Sequence, residues 1–169
     1  MQSAISTLLR TGQTVFSFKD IVMLWKRPDI GPAKALVNYY VKRGELYQVR
    51  RGLYAIGKEY NRLELATKIF VPSYVSLETI LAREGMVFQY YTSIFVVSYQ
   101  TKDILCDGQT YSFKKIRDSI LTNPAGIEHK DHCAAATKER AFLDRIYLFP
   151  DYFFDNLGPL DWEKVFEIA

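Results

Sequence analysis

The chain reads as an α+β protein with two parts: three helices and a hairpin over residues 1–60, then mixed helices and strands over residues 61–169. Three observations lead there. Residues 1–62 hold 11 Lys or Arg against 4 Asp or Glu, a net +7, whereas residues 63–169 hold 11 against 15, a net −4. An abrupt change of charge sign along a short chain marks two functional units. Apolar residues recur at helical spacing up to about residue 42, and a glycine-centred hairpin signal follows. Beyond residue 85 the composition turns β-branched and aromatic, and it returns to helical patterning near the end.

In the basic part, Ile5, Leu8 and Leu9 give one face of a short helix over residues 3–11, which Gly12 ends. Ser17 is placed to cap FKDIVMLW, with Asp20 at the third helical position; Phe18, Ile21, Val22 and Trp25 form the apolar stripe. Lys26 and Arg27 precede Pro28, which stops that helix. Pro32 and Gly44 bracket the next helix. In it Ala33, Leu36, Val37, Tyr40 and Val41 repeat at offsets of 0, 3, 4, 7 and 8, a core-facing stripe. Lys34, Asn38 and Lys42 line up on the other side, each four residues from the next, and Arg43 follows. A Lys, Asn, Lys row can reach phosphates and base edges in a major groove. Leu46, Val49, Leu53 and Ile56 space two short strands, with Arg50 and Arg51 at a tip turned by Gly52. Three helices and a basic hairpin are the order of a winged helix-turn-helix, whose third helix enters a groove while the wing grips the backbone. These eight residues (Lys26, Arg27, Lys34, Asn38, Lys42, Arg43, Arg50 and Arg51) are the candidate DNA contacts.

The acidic part begins after a polar junction, GKEYNR. A helix is expected over 63–70, closed by Pro72, and a second over LETILAREG, capped by Ser76 and ended by Gly85. Residues 86–99 read as strand. Asp107-Gly108 turns a hairpin, and residues 125–136 hold one or two more strands. Thr137 caps KERAFLDRIYLF, which Pro150 stops; Asp161 caps WEKVFEIA. That last helix meets no breaker, which reads either as a natural chain running past Ala169 or as a short terminal helix docked on the body.

Few residues suggest catalysis. His129, His132 and Cys133 are adjacent metal-ligand types without a distant partner set, so no metal is assigned. No nucleophile elbow, phosphate loop or metalloprotease motif occurs, so no catalytic residue and no cofactor is assigned. Arg140 and Asp144 are four apart and pair on one helix face, with Glu139 near the helix start. Two cysteines, Cys106 and Cys133, make no disulfide framework, and neither a membrane span nor a signal peptide is seen, so a cytoplasmic protein is expected.

The ordered motifs resemble a known family. An N-terminal winged helix ends in R-R-G-L-Y at Arg50–Tyr54; Y-V-S-L-E-T-I-L-A-R-E-G follows at Tyr74–Gly85, and A-T-K-E-R-A-F-L-D at Ala136–Asp144. In this order they look like the AbiEi-type antitoxin and transcriptional regulator family of type IV toxin–antitoxin systems. The resemblance implies a winged helix that binds inverted repeats in its own promoter and represses the operon. It implies a C-terminal domain that counters a nucleotidyltransferase-like toxin, without necessarily binding it stably. By the matched motifs, Arg50 and Arg51 would be wing contacts, and Thr137, Glu139, Arg140 and Asp144 would belong to the structural signature of the antitoxin domain. Some members of the family carry more C-terminal sequence.

Two other readings stay open at this point. In one, the acidic part is a nuclease-like enzyme using Asp103, Asp107, His129 and His132. In the other, the winged helix serves protein contacts. The operator, the toxin, the neutralising surface and the oligomeric state, a monomer included, are left open.

Overall fold

The first structured segment of this computed structural model, which describes residues 3–169, is a helix anchored from outside its own sequence. Helix α1 (Ala4–Leu9) buries Ile5 and Leu8, and the Trp25 indole N–H donates to the Ala4 carbonyl at 2.8 Å. Strand β1 (Val15–Ser17) leads directly into α2 (Phe18–Leu24), started by a full capping box: the Ser17 hydroxyl accepts the Asp20 N–H, and the Asp20 carboxylate accepts the Ser17 N–H. After Lys26-Arg27-Pro28 comes α3 (Ile30–Lys42), then the hairpin β2 (Tyr47–Arg50) and β3 (Leu53–Ala55). Gly52, with φ +78°, supplies the turn conformation that a side chain would strain. The strands form an antiparallel sheet in the order β1-β3-β2. Ile5, Leu8, Phe16, Ile21, Val37, Leu46 and Tyr54 make one core, so all three helices and the sheet bury side chains together.

Contacts divide the chain into two compact units, 1–69 and 70–169. Helix α4 (Arg62–Ile69) therefore belongs to the first unit and not to the second, as a division at residue 60 would have it. The reason is Glu64. This buried carboxylate accepts the Thr14 N–H at 2.9 Å, the Thr14 hydroxyl at 2.6 Å and the Val15 N–H at 3.2 Å, which ties α4 to β1.

Asp20 carries a testable pH effect. Burial alone would raise its carboxyl, but the Ser17 N–H and the Lys68 ammonium at 3.1 Å hold it below its ordinary value of 3.8. A folded value below the unfolded one stabilises the fold above the unfolded value, and that stabilisation is lost as pH falls through the folded value. Urea titrations between about pH 2 and 6, followed at the Trp25 indole NMR signal, are expected to show stability falling on acidification, and less steeply in Asp20→Asn. Parallel curves for the two proteins would contradict this.

The second unit is mixed α+β. Its six-stranded sheet runs β6-β7-β5-β4-β9-β8, from β4 (Ser73–Val75), β5 (Ile94–Ser98), β6 (Lys102–Cys106), β7 (Gln109–Lys115), β8 (Ile127–Lys130) and β9 (Cys133–Ala136). β5 pairs with β7, and β4 with β9, in parallel; the other neighbours are antiparallel. The helices are α5 (Glu78–Arg83), α6 (Asp118–Leu121), α7 (Lys138–Leu148) and α8 (Trp162–Ile168). Thr137 and Asp161 cap α7 and α8 with their side chains, and the Asp107-Gly108 turn joins β6 to β7.

Two expectations about this unit fail. Ser76 does not cap α5: Leu77 occupies that position at φ 55°, and the Ser76 hydroxyl donates instead to Asp144 at 2.8 Å. Only Ile94–Ser98 of the stretch 86–99 is strand. Residues 86–93 form a loop, held because the Met86 carbonyl accepts the Asp155 and Asn156 N–H groups.

Candidate nucleic-acid interface and the buried cluster of the second unit

Helix α3 separates its two faces cleanly. Ala33 and Val37 are fully buried, and Tyr40 and Val41 pack on the core beside them. Lys34, Asn38 and Lys42 are exposed, and their i, i+4 spacing puts them in one row along the helix. Tyr39, 47% exposed, lies beside that row and was not picked out by the sequence pattern, because tyrosine reads equally as core.

Arg43 follows α3 and is restrained. Its Nη1 donates to the Tyr39 hydroxyl at 2.7 Å, its Nε sits 2.8 Å from Glu45, and its guanidinium lies over the Tyr39 ring. The bond to Tyr39 raises the Arg43 pKa further, so this cation is permanent but already engaged. Arg50 ends β2 and Arg51 sits in the turn, both exposed. Lys26, at φ 52°, and Arg27 are exposed on the α2–α3 connection. The shared core holds α2, α3 and the hairpin in one body, so these cations occupy a single folded unit.

Of the motif residues of the second unit, Glu139, Arg140 and Asp144 are buried and Thr137 is half-buried. The Thr137 hydroxyl accepts the Arg140 N–H, and a Glu139 carboxylate oxygen accepts the Asp161 N–H at 3.2 Å, joining the starts of α7 and α8. Arg140 has 3% and Asp144 1% of its side chain exposed, and their ion pair measures 3.0 Å. The remaining Arg140 donors go to the Tyr74 hydroxyl at 2.9 Å and to the carbonyls of Ile120, Asn123 and Ala125. The Tyr74 and Ser76 hydroxyls both donate to Asp144. Burial pushes the Asp144 carboxyl above its ordinary value, and Arg140 and the two hydroxyls only partly offset this. Burial likewise drives the Tyr74 hydroxyl far up. Every polar atom of Arg140 and Asp144 is used internally, which suits a structural hub rather than a group that meets a substrate.

The four residues of the nuclease-like alternative are not brought together. Asp103 is the second residue of β6 and accepts the Ser112 hydroxyl at 2.7 Å; Asp107 turns into β7. His129 lies on β8 and His132 in the β8–β9 turn. β6 and β8 are opposite edges of the six-stranded sheet, five interstrand spacings or about 24 Å apart. Among the described residues, no group of three or more His, Cys, Asp or Glu is placed to hold a metal ion. Among the described residues, no helix is long and apolar enough to cross a membrane. Compared with known proteins, the chain matches no protein-family model and no curated sequence, so its function is read from this geometry and from the sequence pattern.

Proposed function

We propose that this protein is a DNA-binding transcriptional regulator of the type IV antitoxin kind, whose first unit acts as a winged helix-turn-helix on double-stranded DNA. The observation that carries this reading is the division of α3: Lys34, Asn38 and Lys42 exposed in one row, Ala33 and Val37 buried opposite. Lysine reaches phosphates, and asparagine can bond bidentately to an adenine edge, so the row combines positioning with base reading. The hairpin tip adds Arg50 and Arg51 as sequence-independent phosphate contacts. The net +7 of residues 1–62 draws the unit to a polyanion. The DNA is the protein's own promoter, bound at inverted repeats in the cytoplasm. The second unit counters a nucleotidyltransferase-like toxin, a role supported by the order of its motifs.

A gel-shift titration tests the DNA reading. Binding to the protein's own upstream DNA is expected below about 1 µM and to fall steeply with salt. Equal affinity for upstream and random DNA would overturn the operator claim. Rescue of growth when the chain is co-expressed with a neighbouring nucleotidyltransferase-like gene product tests the antitoxin role; unrelieved arrest would refute it.

A further inference from the structure

Tyr39 stands beside the Lys34, Asn38 and Lys42 row of α3, about 60° further round the helix than Lys42. An α-helix about 10–12 Å across fills a major groove about 12 Å wide, so its flanks face the phosphate walls and its leading row faces the bases. Tyr39 occupies such a flank. Its ring is fixed there: it meets the Tyr40 ring edge-on, with centroids 5.3 Å apart, and Tyr40 packs in turn against Trp25 and the core. The Arg43 guanidinium lies over the Tyr39 ring, 5.5 Å from its centroid. The residue nonetheless stays 47% exposed.

The Tyr39 hydroxyl accepts Arg43 Nη1 at 2.7 Å, and its own proton has no acceptor among the described residues. A hydroxyl that accepts from a cation is a stronger donor, because the two bonds polarise one another. The acceptor that suits it best is an anionic oxygen. Arg43 is already engaged elsewhere: its Nε sits 2.8 Å from Glu45, which offsets its charge. The three side chains together present no net charge, but one oriented donor.

We propose that Tyr39 donates its hydroxyl proton to a DNA phosphate at the edge of the groove read by α3, with Arg43, held by Glu45, as the positioning residue for that hydroxyl. This rests on the reading of the first unit as a DNA-binding module. It adds a contact of another kind, since lysine and arginine release counterions when they meet a phosphate and a neutral hydroxyl does not.

Fluorescence anisotropy of the full chain on upstream and random duplexes, across a salt series, provides the test. Tyr39→Phe removes the hydroxyl and keeps the ring. It is expected to weaken binding to both DNAs about tenfold and to leave the salt slope unchanged. Arg43→Ala combined with Glu45→Gln preserves the local net charge. This pair is expected to weaken both DNAs by a similar factor and to add nothing in the Tyr39→Phe background. Binding by Tyr39→Phe within about twofold of the wild type overturns the proposal. A slope lowered by about 1 does so too, because it marks a lost cation. A loss confined to upstream DNA would make Tyr39 a base contact and overturns the phosphate assignment. Additive losses in the triple variant would show that Arg43 meets the DNA directly, which overturns its positioning role. A wild-type protein that binds no duplex refutes the DNA-binding reading and this contact with it. Wild-type binding that Tyr39→Phe leaves unaltered refutes the contact alone.

Discussion

Arg140→Ala is expected to cost the second unit about 3–5 kcal/mol, read as a lowered urea midpoint. The substitution strips Asp144 of its counter-charge at a place where only 1% of its side chain is exposed. It also removes the donors from the carbonyls of Ile120, Asn123 and Ala125. Lysine at this position is expected to recover only part of the loss, because an ammonium lacks the planar fork that serves Asp144, Tyr74 and the carbonyls at once. Replacing Arg140 and Asp144 together with apolar residues is expected to cost less than Arg140→Ala alone, since no buried charge is then left unpaired. A loss under about 1 kcal/mol for Arg140→Ala would show that the network is incidental.

The second large effect concerns DNA. With Lys34, Asn38 and Lys42 all changed to alanine, affinity for the operator is expected to fall to that for random DNA, a loss of about a thousandfold or more. The three side chains are exposed, so the fold should survive their removal. Arg50→Ala with Arg51→Ala should act differently, weakening both DNAs by the same factor and lowering the salt slope by about 2. Fluorescence anisotropy across a salt series separates the two behaviours. A triple variant that keeps its preference for upstream DNA would show that α3 is not the reading element. Arg43→Ala should change the slope less than Arg50→Ala or Arg51→Ala, because Glu45 already balances its charge at 2.8 Å.

The structure and the sequence agree where a signal is local. Ser17, Thr137 and Asp161 read as caps and are caps, since a cap needs only an acceptor two or three residues from the N–H it serves. Asp107-Gly108 turns its hairpin for the same reason. Ser76 carries an equally good local signal and is drawn off by Asp144, 68 residues away, which no window on the sequence contains. The parallel pairings of β5 with β7 and β4 with β9 are likewise non-local. In residues 86–93, strand composition loses to the backbone anchor that Asp155 and Asn156 provide at Met86. The exposed row of α3 was legible because a fixed helical period separates it from the buried stripe. The hub role of Arg140 was not, because spacing gives the Asp144 pair but none of the three carbonyls.

Glu64 bears on how copies of this protein meet. β1 is an edge of its sheet, and an open edge invites another strand to add to it. The carboxylate of Glu64 already holds the N–H groups of Thr14 and Val15, where such an addition would begin. With those donors already taken, this rim is closed to strand addition, and copies of the protein that meet there do not fuse into a continuous sheet.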